Sequence, residues 1–281
     1  MSKRILSAFL TFALILSCSV ASAISVRAAD DTKIYVDGVA MTDGDYLSVG
    51  AAGVIRNKPS GGYAHYSNNV LTLHNFENKS GKYTIDEFDN ECAIYRPTGD
   101  LNIVLSGNNT INTGNVQWRT AIELSGGKSM MTISQAASGG TLNIFGGELS
   151  YGISAPHVTI ESGTFNINTD FCIEAFGDLC VDSIGVITIW GGKFDLTGLR
   201  GCIESDTIII HNGEFDLIVN DNRSYADSGD ENYFAIGYWG TFEYNQNMTI
   251  KAAGNPGDPL VTYNPNRHDT YDVIKITHAH E

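Results

Sequence analysis

Three copies of one short phrase constrain this chain more than any other feature. They are Val158-Thr-Ile160-Glu-Ser-Gly163-Thr-Phe165-Asn166, Ile187-Thr-Ile189-Trp-Gly-Gly192-Lys-Phe194-Asp195 and Ile208-Ile-Ile210-His-Asn-Gly213-Glu-Phe215-Asp216. Apolar and polar residues alternate on both sides of a glycine, the period of a strand and not of a helix. Each copy predicts two short strands meeting at a corner, with the apolar side chains of both directed at one core. Looser copies lie upstream, in Leu101-Asn-Ile103 with Thr110-Ile111-Asn112 and in Met131-Thr-Ile133 with Gly140-Thr-Leu142-Asn143.

A third element precedes the pairs and recurs after the last: Ala93-Ile94, Ala121-Ile122, Gly152-Ile153, Cys172-Ile173, Cys202-Ile203 and Ala235-Ile236, at intervals of 28, 31, 20, 30 and 33 residues. Three short strands per repeat predict an all-β, three-faced parallel β-helix, a solenoid of about six coils. The longer intervals place loops at its corners. Residues 30–92 do not follow the repeat. There Asp37-Gly38 and Asn68-Asn69 each separate two apolar-alternating runs, the signal of a two-residue hairpin, so this segment is expected to form an N-terminal hairpin cap over residues 93–281. Tyr271 to Ile276 is expected to close the chain as a strand.

Residues 1–29 have the layout of a secretory signal: Lys3-Arg4, an apolar run from Ile5 to Leu16, then Ala21-Ser22-Ala23. Cleavage after Ala23 or near Ala28-Ala29 gives a secreted or cell-surface protein, and an imperfect lipobox at Cys18 offers a lipid anchor instead. No later segment is long and apolar enough to span a bilayer. The formal net charge of −15, with no Lys/Arg cluster, argues against nucleic acid. Cys172 and Cys202 occupy equivalent positions, ~4.8 Å apart on neighbouring strands, and are either a disulfide or two small buried fillers.

Residues with chemistry fall in columns. Asn112, Asn143, Asn166, Asp195 and Asp216 follow the core positions; Asn over Asn suits amide ladders. Asp195 over Asp216 requires splaying into water, a shared proton or a bridging cation such as calcium. Glu123, Ser154, Glu174 and Glu204 form a second column, whose glutamates either supply further metal ligands or make a solvated face; the strand is too short to say whether the isoleucines or the small residues beside them point inward. The third column is Glu161, Trp190 and His211. Trp190 either offers a sugar ring a flat apolar surface or lies under a loop, and Trp118, Tyr238 and Trp239 could extend such a platform from corner loops. The acidic stretch 227–232 lacks the spacing of a calcium loop.

The hairpin Val36-Asp-Gly-Val-Ala-Met-Thr42, the turn Tyr66-Ser-Asn-Asn-Val-Leu-Thr-Leu73, the run Asp100 to Ile111 and the ending from Val261-Thr-Tyr-Asn-Pro265 to Lys275-Ile276 resemble secreted right-handed β-helix proteins of Gram-positive bacteria, described as carbohydrate-binding domain-containing proteins. The resemblance covers about residues 33 to 276, and its motifs are structural. It implies a cellulose- or pectin-like polysaccharide partner with help from calcium, and it transfers no ligand residue. Lyases and hydrolases share this architecture, which keeps an enzyme as a competing class. Their hallmarks are missing: there is no Gly-His-Gly, and Arg119 and Arg200 stand in loop-like stretches. Asp195 with Asp216, or Glu174 with Glu204, could in principle serve as a catalytic pair, but fold analogy alone does not make them one. A surface module with a protein partner is the third class.

Overall fold

The computed structural model describes residues 33–79, 83–84, 91–114, 119–177, 183–220 and 234–278. They belong to one compact unit, Asp31–Glu281. The leader read at 1–29, with Cys18, and also Trp118, Cys180 and the acidic stretch 227–232 lie outside the described residues. The fold is all-β, with a 3-10 helix at Pro265–Thr270 and no α-helix among the described residues.

Most strands are parallel and fall into three ladders, which the chain visits in the same order on every pass. The first ladder stacks Ile94, Ile122, Ile153, Ile173, Ile203 and Ile236 as successive partners. The second runs Leu71, Ile103, Ile133, Ile160, Ile189, Ile210 and Tyr244. The third runs Ile111, Ile144, Ile167, Leu196 and Leu217. All of these except Tyr244 are buried, and they meet in one hydrophobic cluster. The parallel register reaches upstream to Val70–His74, which pairs with Asn102–Ser106.

The Gly-x-Phe part of the repeat has a direct physical basis. Phe165, Phe194 and Phe215 stack face to face, with ring centroids 5.0 and 4.5 Å apart and planes within 6°. Each such pair contributes roughly 0.5–1.5 kcal/mol beyond burial. Gly163, Gly192 and Gly213 hold φ of +136°, +128° and +138°, and a Cβ on any of them would meet the ring of the phenylalanine two residues on. Only glycine fits a corner pressed this closely on the stack.

The first ladder bends at a small residue. Its register skips Gly152, Cys172, Cys202 and Ala235 while pairing the residues on either side. Both Cys172 and Ile173 are fully buried, as are Cys202 and Ile203. The two inward sets weighed from sequence are thus both inward, because the chain turns between them. Cys172 and Cys202 are unlinked buried thiols, whose Sγ atoms donate to the carbonyls of Ile167 and Leu196.

Two expectations are corrected by the observed register. Asn112 does not stack on Asn143; Thr110 does, and Leu142 pairs with Asn109. Asn109 fills that core position fully buried, its Nδ2 donating to Thr141 O and its Oδ1 accepting from Phe76 N–H. The amide ladder runs instead through Asn108, Asn143 and Asn166, at 2.7 and 2.8 Å. Arg119 and Arg200 are also not loop residues. They lie within the strands Arg119–Leu124 and Lys193–Ile210, fixed by ion pairs to Glu91 and Asp170 at 2.5 and 2.6 Å.

The hairpins at Asp37-Gly38 and Asn68-Asn69 form with positive φ at all four residues. The strand Ile34–Val36 pairs with Glu91–Arg96, and Tyr63–Ser67 pairs with Val70–His74. At the other end Val273–His278 runs antiparallel between Glu214–Val219 and Met248–Ala253.

Candidate functional site

The outward surface of the second ladder carries Trp190. Its backbone N–H donates to Ile160 O, that of His211 donates to Ile189 O, and those of Glu161 and Asn245 continue the same pattern at 2.8–2.9 Å. These bonds hold Glu161, Trp190, His211 and Asn245 in one row at the corner between the second and third ladders. The indole is 53 % exposed, so the alternative that buries it under a loop does not hold. The His211 ring stacks on it at 3.8 Å between centroids and 11° between planes. The stacked imidazole fixes the orientation of the indole, so a ligand that meets its exposed surface does not cost the entropy of ordering a mobile side chain.

Strand alternation places Thr159 and Thr188 on the same surface, two residues before Glu161 and Trp190, and as ladder partners of each other. Both are partly exposed, and Glu161 is exposed. The surface thus combines a flat aromatic plate with hydroxyl, carboxylate and imidazole groups set about 5 Å apart along the ladder. Apolar plate plus convergent polar groups matches a pyranose ring, which has an apolar C–H face and a rim of hydroxyls.

Other residues chosen from sequence fall elsewhere. Trp239 is 62 % exposed and packs on Phe176 at 5.7 Å, at the corner between the first and second ladders. It is separated from the Trp190 row by the length of a strand, on the order of 20 Å. Tyr238 is only partly exposed; its hydroxyl donates to Pro265 O and its ring packs on His268 at 4.3 Å. Among the described residues, Trp190, Tyr238 and Trp239 do not form one continuous platform.

Asp195 and Asp216 are partners in the third ladder, and Asp195 is exposed. The Lys275 ammonium, from the antiparallel strand Val273–His278, lies 2.8 Å from Asp216 Oδ2. Lys275 thus meets Asp216 from the strand opposite Asp195, and Asp216 Oδ1 is buried without a hydrogen-bond partner among the described residues. Among the described residues no group of three or more His, Cys, Asp and Glu side chains is placed to hold a metal.

Glu174 and Glu204 are ladder partners and are almost wholly buried, contrary to a solvated face. Burial is the main cause that pushes Glu174 up to about 8, opposed by the 2.8 Å bond from Ser154 Oγ and reinforced by Glu204 and Glu123. Burial likewise pushes Glu204 up to about 7, against the pull of Arg200. Arg200 is shared: it forks onto both oxygens of Asp170 at 2.6–3.0 Å and lies 4.7 Å over the Phe171 ring. The Asp170–Arg200 pair escaped the sequence reading although it was visible there. Arg200 follows Asp170 by 30 residues, the same interval that separates Cys172 from Cys202.

No family model, no curated protein and no solved structure matches the chain. The functional reading therefore rests on the geometry of these two groups.

Proposed function

We propose that this chain is a secreted right-handed parallel β-helix that binds polysaccharide without catalysis. The fixed order in which the chain visits three parallel ladders supports the architecture, since parallel crossovers are right-handed in nearly all proteins. The observation that carries the binding reading is the half-exposed Trp190 plate, stacked on His211 and flanked by Thr188, Thr159 and Glu161. A cellulose- or pectin-like chain laid along this surface would stack one ring on the indole and meet the polar groups with its hydroxyls.

One feature favours binding over turnover. Glu174 and Glu204 sit on the first ladder and are buried, whereas the plate stands at the far corner of the second, so a ring stacked on Trp190 would not bring its glycosidic bond to them. The Lys275 ammonium meets one oxygen of Asp216 from the side away from Asp195, so the plate on Trp190 is proposed to bind without calling on calcium there. The test is a glycan-array and affinity-gel comparison of the full chain with Trp190→Ala. Binding is expected to fall by tenfold or more, about 1.4 kcal/mol, with melting unchanged. Chelator is expected to leave binding intact; loss on chelation, or release of reducing ends from a bound glycan, would overturn the reading.

A further inference from the structure

The ends of the three ladders are not treated alike. At the N-terminal end Ile34–Val36 covers the first ladder, Tyr63–Ser67 covers the second, and Asn78 N–H donates to Thr110 O on the third. At the C-terminal end Val273–His278 covers the third, while Tyr271 O accepts from Ala235 N–H and the Pro265–Thr270 helix receives Tyr238 over the first. The last strand of the second ladder is left open. Thr241–Tyr244 pairs with Thr207–Ile210 on one side, and among the described residues no backbone bond reaches its other side.

Alternation identifies the groups that are free. Asn245 N–H donates to Ile210 O, so in a parallel ladder the odd-numbered residues of this strand face inward to their neighbour. The N–H and C=O of Phe242 and Tyr244 therefore point away from it. Their side chains occupy the positions that Ile208 and Ile210 hold one strand earlier, yet Tyr244 is 38 % exposed. Two adjoining clefts run beside the edge. The larger, of about 530 Å³, is lined by Phe242, Glu243, Tyr244, Gln246 and Met248. The smaller, of about 230 Å³, lies between Tyr244, Tyr263 and Lys251.

We infer that this edge receives an extended segment of a partner protein as an added strand, with the pattern apolar–basic–apolar. The apolar residues pair with Phe242 and Tyr244, beside the Tyr263 ring that packs edge-on against Phe242. The basic residue stands beside Glu243, which is the outward residue of the strand and the only charged side chain among the described residues that line the larger cleft. Charge also selects against a second copy of the chain, because two molecules of net charge −15 repel. Strand addition of this kind draws affinity from main-chain bonds and specificity from alternate side chains.

The probe is a labelled nine-residue peptide with Ile-Lys-Ile at its centre and Thr/Ser flanks, followed by anisotropy on the full chain. Saturable binding is expected, about tenfold weaker for an Ile-Glu-Ile peptide or for Glu243→Lys, a difference of 1.4 kcal/mol. Binding should vanish for a backbone N-methylated peptide and for Tyr244→Pro, which removes an N–H that has no partner and so spares the fold. Hydrogen exchange gives a test without substitution: the amides of Phe242 and Tyr244 exchange fast in the free chain and slow on peptide addition. Protection of both in the free chain, equal binding of the N-methylated peptide, or no binding overturns the proposal. So does a concentration-dependent dimer abolished by Tyr244→Pro, which assigns the edge to a second copy.

Discussion

Glu174 and Glu204 show what one bend can do to two side chains. Because the first ladder turns at Cys172 and Cys202, each glutamate follows two consecutive inward residues, and both carboxyls are buried. The unfolded chain ionises them near 4.5, whereas the folded chain keeps Glu174 protonated to about 8 and Glu204 to about 7. A folded value above the unfolded one means that stability is fully present below pH 4.5 and is lost as pH rises through 7 to 8. Taken in full, the two rises correspond to at most roughly 8 kcal/mol for the pair. Thermal melting from pH 4 to 9 is expected to fall steadily across that window, and Glu174→Gln with Glu204→Gln is expected to flatten the curve. A slope identical in the double variant would place the titration elsewhere. Sequence left this burial open, since a three-residue strand does not declare which alternate residues face inward.

At the scale of an element, the corner glycines and the phenylalanine stack were legible and the strand ends were not. Phe165, Phe194 and Phe215 recur in identical phrases, so their register follows from strand period alone, and the ladder pairs them as partners. Asn109 breaks the apolar alternation that the reading depended on, and its core position became visible only through its bonds to Thr141 and Phe76. Lys275 beside Asp216 is a contact across 59 residues between antiparallel strands, and no local pattern announces it. The best test of the element is Gly192→Ala. Its Cβ would stand 3.0 Å from Gly163 O and 3.1 Å from the Phe194 ring at φ +128°. A loss of about 1–3 kcal/mol is expected in denaturant melts, and an unchanged midpoint would show that the corner has slack.

At the scale of the whole molecule, the ladders leave their outward surfaces free of the constraint that the core imposes on the inward ones. The inward residues repeat with little variation, while the outward row changes from Glu161 to Trp190 to His211 to Asn245 along a backbone that repeats the same hydrogen bond. Sequence located that row and the chemistry in it, but not its separation from Trp239 or the open edge at Thr241–Tyr244. Both depend on where strands end rather than on how they repeat. The stacked thiols add a property of the assembly as a whole. Cys172 and Cys202 lie wholly inside the first ladder, and burial, with the neighbouring Cys172, holds the Cys202 thiol well above its ordinary value. An alkylating reagent can reach them only when neighbouring strands part. In a chain with Cys18, Cys92 and Cys180 replaced by serine, labelling of the remaining two thiols under native conditions is therefore expected to be slow, and its rate reports local opening. Prompt labelling would show that the ladder breathes freely. The two sulfurs thus form a clock set into the wall of the protein, timing how often the structure opens without a probe having to be attached.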